Sequence, residues 1–236
     1  MAGLISLLAT AISLALTIQV GRQCLERRRP YQVVWTAALG LFTVGVGCQF
    51  LAGFGGWTPT LYRLWYLSGA ILAAAYLGQG TAYLMAPRRV AHGLMIVLGL
   101  GTVAGAVLAL LAPVDLATAL SGASVSGAGM PQYVRLLTPF FNIYGTLWLV
   151  GGALVSVVRF LTRGGSGQRA LGTALIGAGA IVIAAGGTLT RFGIPGALYL
   201  TELVAVLIIF TGFTLTARRP RAAVVPAPAP SSTGGA

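Results

Sequence analysis

Residues 61–89 read LYRLWYLSGAILAAAYLGQGTAYLMAPRR, and their reading decides the fold class. From Leu64 to Ala86 no side chain is charged, and after Pro87 come two arginines, Arg88 and Arg89. At 1.5 Å of rise per residue, roughly 20 apolar residues cross the ~30 Å hydrocarbon layer of a bilayer as a helix. A terminal cluster of basic residues marks the cytoplasmic end. Six more apolar segments of similar length occur at about 4–21, 33–53, 90–112, 137–160, 170–190 and 196–216. The expected fold is therefore an all-α, seven-transmembrane helix bundle occupying 1–221, followed by a Pro/Ala-rich tail over 222–236 that cannot bury a core.

The arginines set the orientation. Arg22, Arg27, Arg28 and Arg29 follow the first segment, Arg88 and Arg89 the third. Arg159, Arg163 and Arg169 flank the turn after the fifth, and Arg218, Arg219 and Arg221 follow the seventh. Only Arg63, Arg135 and Arg191 fall at the opposite ends, so the N-terminus is expected outside and the C-terminus in the cytoplasm. The first segment has no basic residue before it, which fits N-out insertion better than a cleaved secretory signal. Such clusters also meet anionic lipid, so the bilayer of the inner (plasma) membrane is the expected partner and nucleic acid is not.

Composition narrows the chemistry. The chain is 57% hydrophobic and 8% charged, against roughly a quarter charged in soluble domains. All of its basic side chains apart from His92 are arginines. Without lysine no side chain can form a Schiff base, so retinal is excluded as a cofactor. A single histidine rules out bis-histidine haem, and no other cofactor is expected. Cys24 and Cys48 fall at different depths and are expected as free thiols. Asp115, Glu26 and Glu202 are the only acids and lie far apart, so no catalytic pair is visible and an enzyme is not expected.

Glu202 is the informative residue. A charge inside hydrocarbon costs roughly 2.5–3.5 kcal/mol on insertion scales unless it turns inward, pairs or protonates. It lies about six residues, ~9 Å, inside the seventh segment. Arg191, Arg63 and Arg135 are expected at the same outer level, so Glu202 should pair with Arg191 or Arg63 and face an outward-open cavity. Gln49, Asn142 and Tyr144 share that depth and would complete an outer polar layer, with Tyr66 on an inward stripe. Gln79, deeper in the third segment, should face the bundle because lipid offers its amide no partner. Tyr62, Trp65 and Tyr66 at one end and Tyr83 at the other match an aromatic belt. The loop around LSGASVSGAG (120–129) should be mobile. Gly101 and Gly105, and the glycines of GAGAIVIAAGG (177–187), suit close helix contacts.

RRRPYQVVW (27–35) leading into the second segment, and LYRLWYLSGAILAAAYLGQGTAYL (61–84) with Arg63, Leu64, Tyr66 and Leu67, resemble the seven-span sensory region at the N-terminus of some bacterial membrane histidine kinases. The resemblance implies a sensing bundle; here a Pro/Ala-rich stretch follows the seventh segment where that family carries its kinase. A gapless shift of the chain by ~132 residues aligns Gly40 with Gly172, Gly45 with Gly177, Gly47 with Gly179 and Gly80 with Gly212, the pattern that parallel internal repeats leave. Three functions fit these features: a receptor-like or sensor-like bundle that binds a small or lipidic ligand and signals to a partner protein, a small-solute or proton-coupled transporter, and an accessory subunit of a larger membrane complex.

Overall fold

A computed structural model describes residues 2–122, 124–164, 167–194 and 196–217, and within them the chain is helical with no strand. The long helices are α1 (Ala2–Arg27), α2 (Pro30–Gly55), α3 (59–85) and α4 (Arg88–Leu111). Two short helices, α5 (Leu116–Ala119) and α6 (Gln132–Arg135), precede α7 (Leu137–Arg163), α8 (Gly167–Arg191) and α9 (Ala197–Ala217). Among the described residues, six helices are long and apolar enough to cross a membrane: α1, α2, α4, α7 together with α6, α8 and α9. The protein is thus a multi-pass helical membrane protein by its architecture.

Helix α3 differs from those six in its geometry. It runs as α-helix over Pro59–Trp65, as π-helix over Tyr66–Ala73 and again as α-helix over Ala74–Met85, with no break in the helical trace. The π segment includes a close approach to α2: a Cβ on Gly45 would stand 3.1 Å from the Cα of Gly69. Widened turns of this kind leave carbonyls without their usual intrahelical donors.

Neighbours around the bundle run α1, α2, α3, α7, α8, α9 and back to α1, while α4 stands outside that ring against α3 and the start of α7. The ring contains two consecutive triplets, α1–α2–α3 and α7–α8–α9. Contacts across the ring are built on small residues, as expected where lipid competes equally for apolar side chains. The backbones of Gly78 and Gly145 meet between α3 and α7, and those of Gly172 and Gly212 between α8 and α9. Gly80 admits the Trp35 ring, whose Nε1 donates to the Leu77 carbonyl at 3.1 Å. Apolar clusters fill the space between, one joining Leu16, Leu39, Leu77, Leu149, Ile176 and Phe213.

The connection between α4 and α6 departs from its expected mobility. Asp115 caps α5 by accepting from the Thr118 backbone N–H at 3.1 Å and from its hydroxyl at 2.6 Å. The Thr118 side-chain bond, then the backbone one, holds the Asp115 carboxyl below its ordinary range. Ser126 caps the 3-10 turn Gly127–Gly129, and the Tyr62 hydroxyl donates to the Ser126 carbonyl at 2.6 Å. Val125, Met130 and Val134 are buried in one cluster with Tyr62, Trp65 and Tyr66. The small residues that read as flexible are small because the lid lies against aromatic rings: a Cβ on Gly127 would stand 2.7 Å from Tyr66 Cε2.

That packing also corrects the aromatic belt. Tyr62, Trp65 and Tyr66 are buried beneath the lid instead of facing lipid. Tyr83, at the opposite end of α3, is half-buried and stands edge-on to His92 with ring centroids 5.3 Å apart. The arginine clusters at the α1–α2, α3–α4 and α7–α8 turns share one end of the bundle; the lid occupies the other. Arg218, Arg219 and Arg221 and the whole tail lie outside the described residues.

Candidate functional site

The polar side chains inside the bundle form two groups. The first surrounds α3. Asn142 Nδ2 donates to the Ala70 carbonyl at 2.8 Å and to the Thr138 carbonyl at 2.9 Å. Ala70 belongs to the π segment, so α7 supplies a donor to a carbonyl of the widened turn. The Tyr66 and Thr138 hydroxyls share a bond of 2.8 Å, and those of Tyr76 and Thr102 one of 3.0 Å. Gln79 is fully buried, as the absence of polar partners in lipid requires; its Nε2 donates to the Ala91 carbonyl at 2.8 Å and its Oε1 accepts from the Tyr144 hydroxyl. Each of these polar tips has a protein partner.

The second group is Glu202 with Gln49. Gln49 Nε2 donates to Glu202 Oε1 at 3.1 Å, joining α2 and α9. Gln49 is only 4% exposed, and its Oε1 is buried without a hydrogen-bond partner among the described residues. Gln32 Oε1 is in the same condition near the arginine end of α2, but without a carboxylate bonded to its amide. Within one turn of the pair along α2 and α9, Val46, Leu203 and Val206 belong to an apolar cluster with Ala9, Phe42 and Ala73. Toward the lid, Tyr199 meets the backbone of Val125 one turn away.

The expected pairing of Glu202 with an arginine is corrected for Arg63. Its guanidinium lies against α4, where Nε and Nη2 both donate to the Ala112 carbonyl at 3.2 and 2.8 Å. That carbonyl ends a helix and has no intrahelical donor, so it draws a cation. Arg135, exposed on α6, stands near Tyr62. The Arg191 side chain lies outside the described residues. Gln49 was expected in the layer around Glu202 and is its partner; Asn142 and Tyr144 were grouped there by depth and instead bond to α3, the latter through Gln79. Depth along a helix is read directly from sequence, whereas azimuth around it shifts when a π segment adds residues to a turn, as in α3.

Nor is the cavity open at this site. Ser124 and Val125 are buried, so the lid covers that end of the bundle. Two shallow surface depressions lie elsewhere, one between Pro113–Asp115 and Ala128–Pro131 in the lid and one along Ala15–Glu26 on α1. Sequence reasoning missed Thr138, Ser126 and Trp35, whose roles come from partners on other helices and leave no local pattern.

Among the described residues no group of three or more His, Cys, Asp and Glu side chains is placed to hold a metal ion. No protein family, curated protein or solved structure matches the chain. Function therefore has to be argued from the site itself. The Glu202–Gln49 pair offers acceptors in excess of donors within an apolar setting, which is the chemistry of a site for a hydrogen-bond donor or a positive charge.

Proposed function

We propose that the chain is a seven-span receptor-like or sensor-like bundle in the inner (plasma) membrane, with its N-terminus and lid outside and its C-terminus in the cytoplasm. It binds a small ligand at Glu202 and Gln49 in the outer half. The seventh crossing is α3, whose length matches its neighbours and whose π segment keeps it helical throughout. The orientation rests on the arginine clusters at one end. Ligand binding rests on one observation above the others: the carboxyl of half-buried Glu202 is held by a buried amide whose second polar atom has no partner among the described residues. Buried polar groups are otherwise satisfied in folded proteins, and exceptions concentrate where something else binds. The lid contact from Val125 to Tyr199 would carry occupancy from the site to the outer surface, and α9, which leads to the cytoplasmic end, would carry it to a partner protein.

Two measurements test this. Cys24 is a free, half-buried thiol at the arginine end of α1, whereas Cys48 is buried. A membrane-impermeant thiol reagent should label Cys24 in inverted vesicles and not in intact cells; labelling from outside would reverse the topology. Native mass spectrometry of the detergent-purified protein should detect a bound species lost in Glu202→Gln. Identical spectra for the two proteins, with substrate flux in liposomes abolished by the variant, would favour a transporter over a sensor.

A further inference from the structure

The chemistry of the Glu202–Gln49 pair goes further than "a ligand" and, resting on the binding role proposed above, specifies its class. The pair supplies a carboxyl group and a neutral amide, set on two helices and joined by the bond from Gln49 Nε2 to Glu202 Oε1. One of the carboxylate oxygens accepts from the Gln49 amide nitrogen. The amide oxygen, on the same planar group, is buried and meets no donor. A half-turn about the terminal amide bond exchanges these two atoms without moving the backbone. It would place Oε1 where Nε2 now donates, so that amide and carboxylate oxygens face the same point.

Facing oxygens repel unless a positive group stands between them. Here the amide N–H fills that place, and a cation would replace it. Charge complementarity sets the valence: a single carboxylate with a neutral amide matches one positive charge, whereas divalent ions are held by several carboxylates or by carboxylate with many carbonyls. Val46, Leu203 and Val206, within one turn of the pair and part of one packed apolar cluster, favour a compact ion over a bulky one. The side of approach follows from the lid, since Tyr199, one turn from Glu202, meets the Val125 backbone.

We infer that Glu202 and Gln49 form a site for a compact monovalent cation, either an alkali ion or a small protonated amine, held by the carboxylate and the rotated Gln49 Oε1. The two sources share the requirement for a small positive charge with oxygen donors around it, and the test separates them.

The purified full chain is melted in sodium chloride, in methylammonium chloride and in the chloride of bulky N-methylglucamine, at equal ionic strength. A ligand that binds the folded state raises the melting temperature saturably. The expected result is a saturable rise with sodium or with methylammonium but not with N-methylglucamine, absent in Glu202→Gln. Whichever of the two ions acts identifies the source. Gln49→Met, which removes the amide oxygen and leaves the carboxyl in place, should weaken the effect about tenfold, the fold-change expected for losing one oxygen contact to a charge. That second variant keeps the test decisive if Glu202→Gln does not fold: an unchanged midpoint in Gln49→Met overturns the inference. So does a cation response that survives in Glu202→Gln. A protein indifferent to both small cations, yet carrying a neutral molecule that Glu202→Gln loses, overturns the cation class while leaving ligand binding at this pair intact. Indifference to cations together with no bound species overturns both.

Discussion

The polar contacts of α3 and the polar contact of α9 look alike in sequence and differ in structure. Around α3, Asn142, Tyr144, Gln79 and Tyr66 each find a protein partner, Asn142 on a carbonyl of the π segment. On α9, Glu202 finds one amide, and that amide keeps an unmatched oxygen. Both regions place polar atoms in an apolar interior, where an unmet hydrogen bond costs about 1–3 kcal/mol. The first region recovers that cost within the protein and so holds helices together; the second leaves part of it open. Gln49 and, near the arginine end of α2, Gln32 each keep an unmatched oxygen among the described residues, and of the two amides Gln49's is the one that bonds a carboxyl.

The largest expected effect removes the staple region altogether. Gly145→Val would force a side chain into the Ala74 carbonyl where α3 and α7 touch. Overpacking at a rigid backbone contact costs about 3 kcal/mol or more, so thermal unfolding in detergent should show little folded protein. A well-folded variant would mean that α3 and α7 are not in contact there. Next comes Asn142→Leu, which strips the donor from the Ala70 and Thr138 carbonyls. Stability should fall by about 1–2 kcal/mol, measured by denaturant titration in micelles, with ligand response retained. A loss of ligand response in this variant would place Asn142 in the site and blur the distinction.

Smaller still is the coupling between Gln79 and Tyr144. A cycle of Gln79→Leu, Tyr144→Phe and the double variant should give an interaction energy of about 0.6–1.7 kcal/mol, the range that interhelical bonds show in membranes. Additive effects would show that the two do not bond.

Much of this fold is legible in the chain. Apolar length places long helices near each of the expected segments, and among the described residues six of them are long and apolar enough to cross a membrane. Gln79 is predicted inward on the same ground and is found buried. What sequence does not carry is which neighbour each inward residue meets. Arg63 was matched to Glu202 by charge and depth, but the helix-end carbonyl of Ala112 offered it a partner without burial of two charges. The lid read as mobile from its glycines and serines. Its order comes from Tyr62 and Tyr66 some sixty residues earlier, contacts that local composition cannot reveal. The Glu202–Gln49 bond was anticipated as a shared layer; the unmatched Gln49 oxygen emerges only once every neighbour is in place.

The smallest effect on stability belongs to the residue with the largest expected effect on function, and that contrast is the most direct test of the account. Glu202→Gln keeps the side chain's shape and an oxygen for Gln49 Nε2, so its unfolding free energy should lie within about 0.5 kcal/mol of the wild type, as for changes that break no packed contact. The measurement is denaturant unfolding of Glu202→Gln beside Asn142→Leu, each with and without the stabilising cation. The account predicts that Glu202→Gln is stable and unresponsive, and that Asn142→Leu is destabilised and responsive. A Glu202→Gln protein that unfolds as early as Asn142→Leu while still responding to the cation would make Glu202 a staple like the rest.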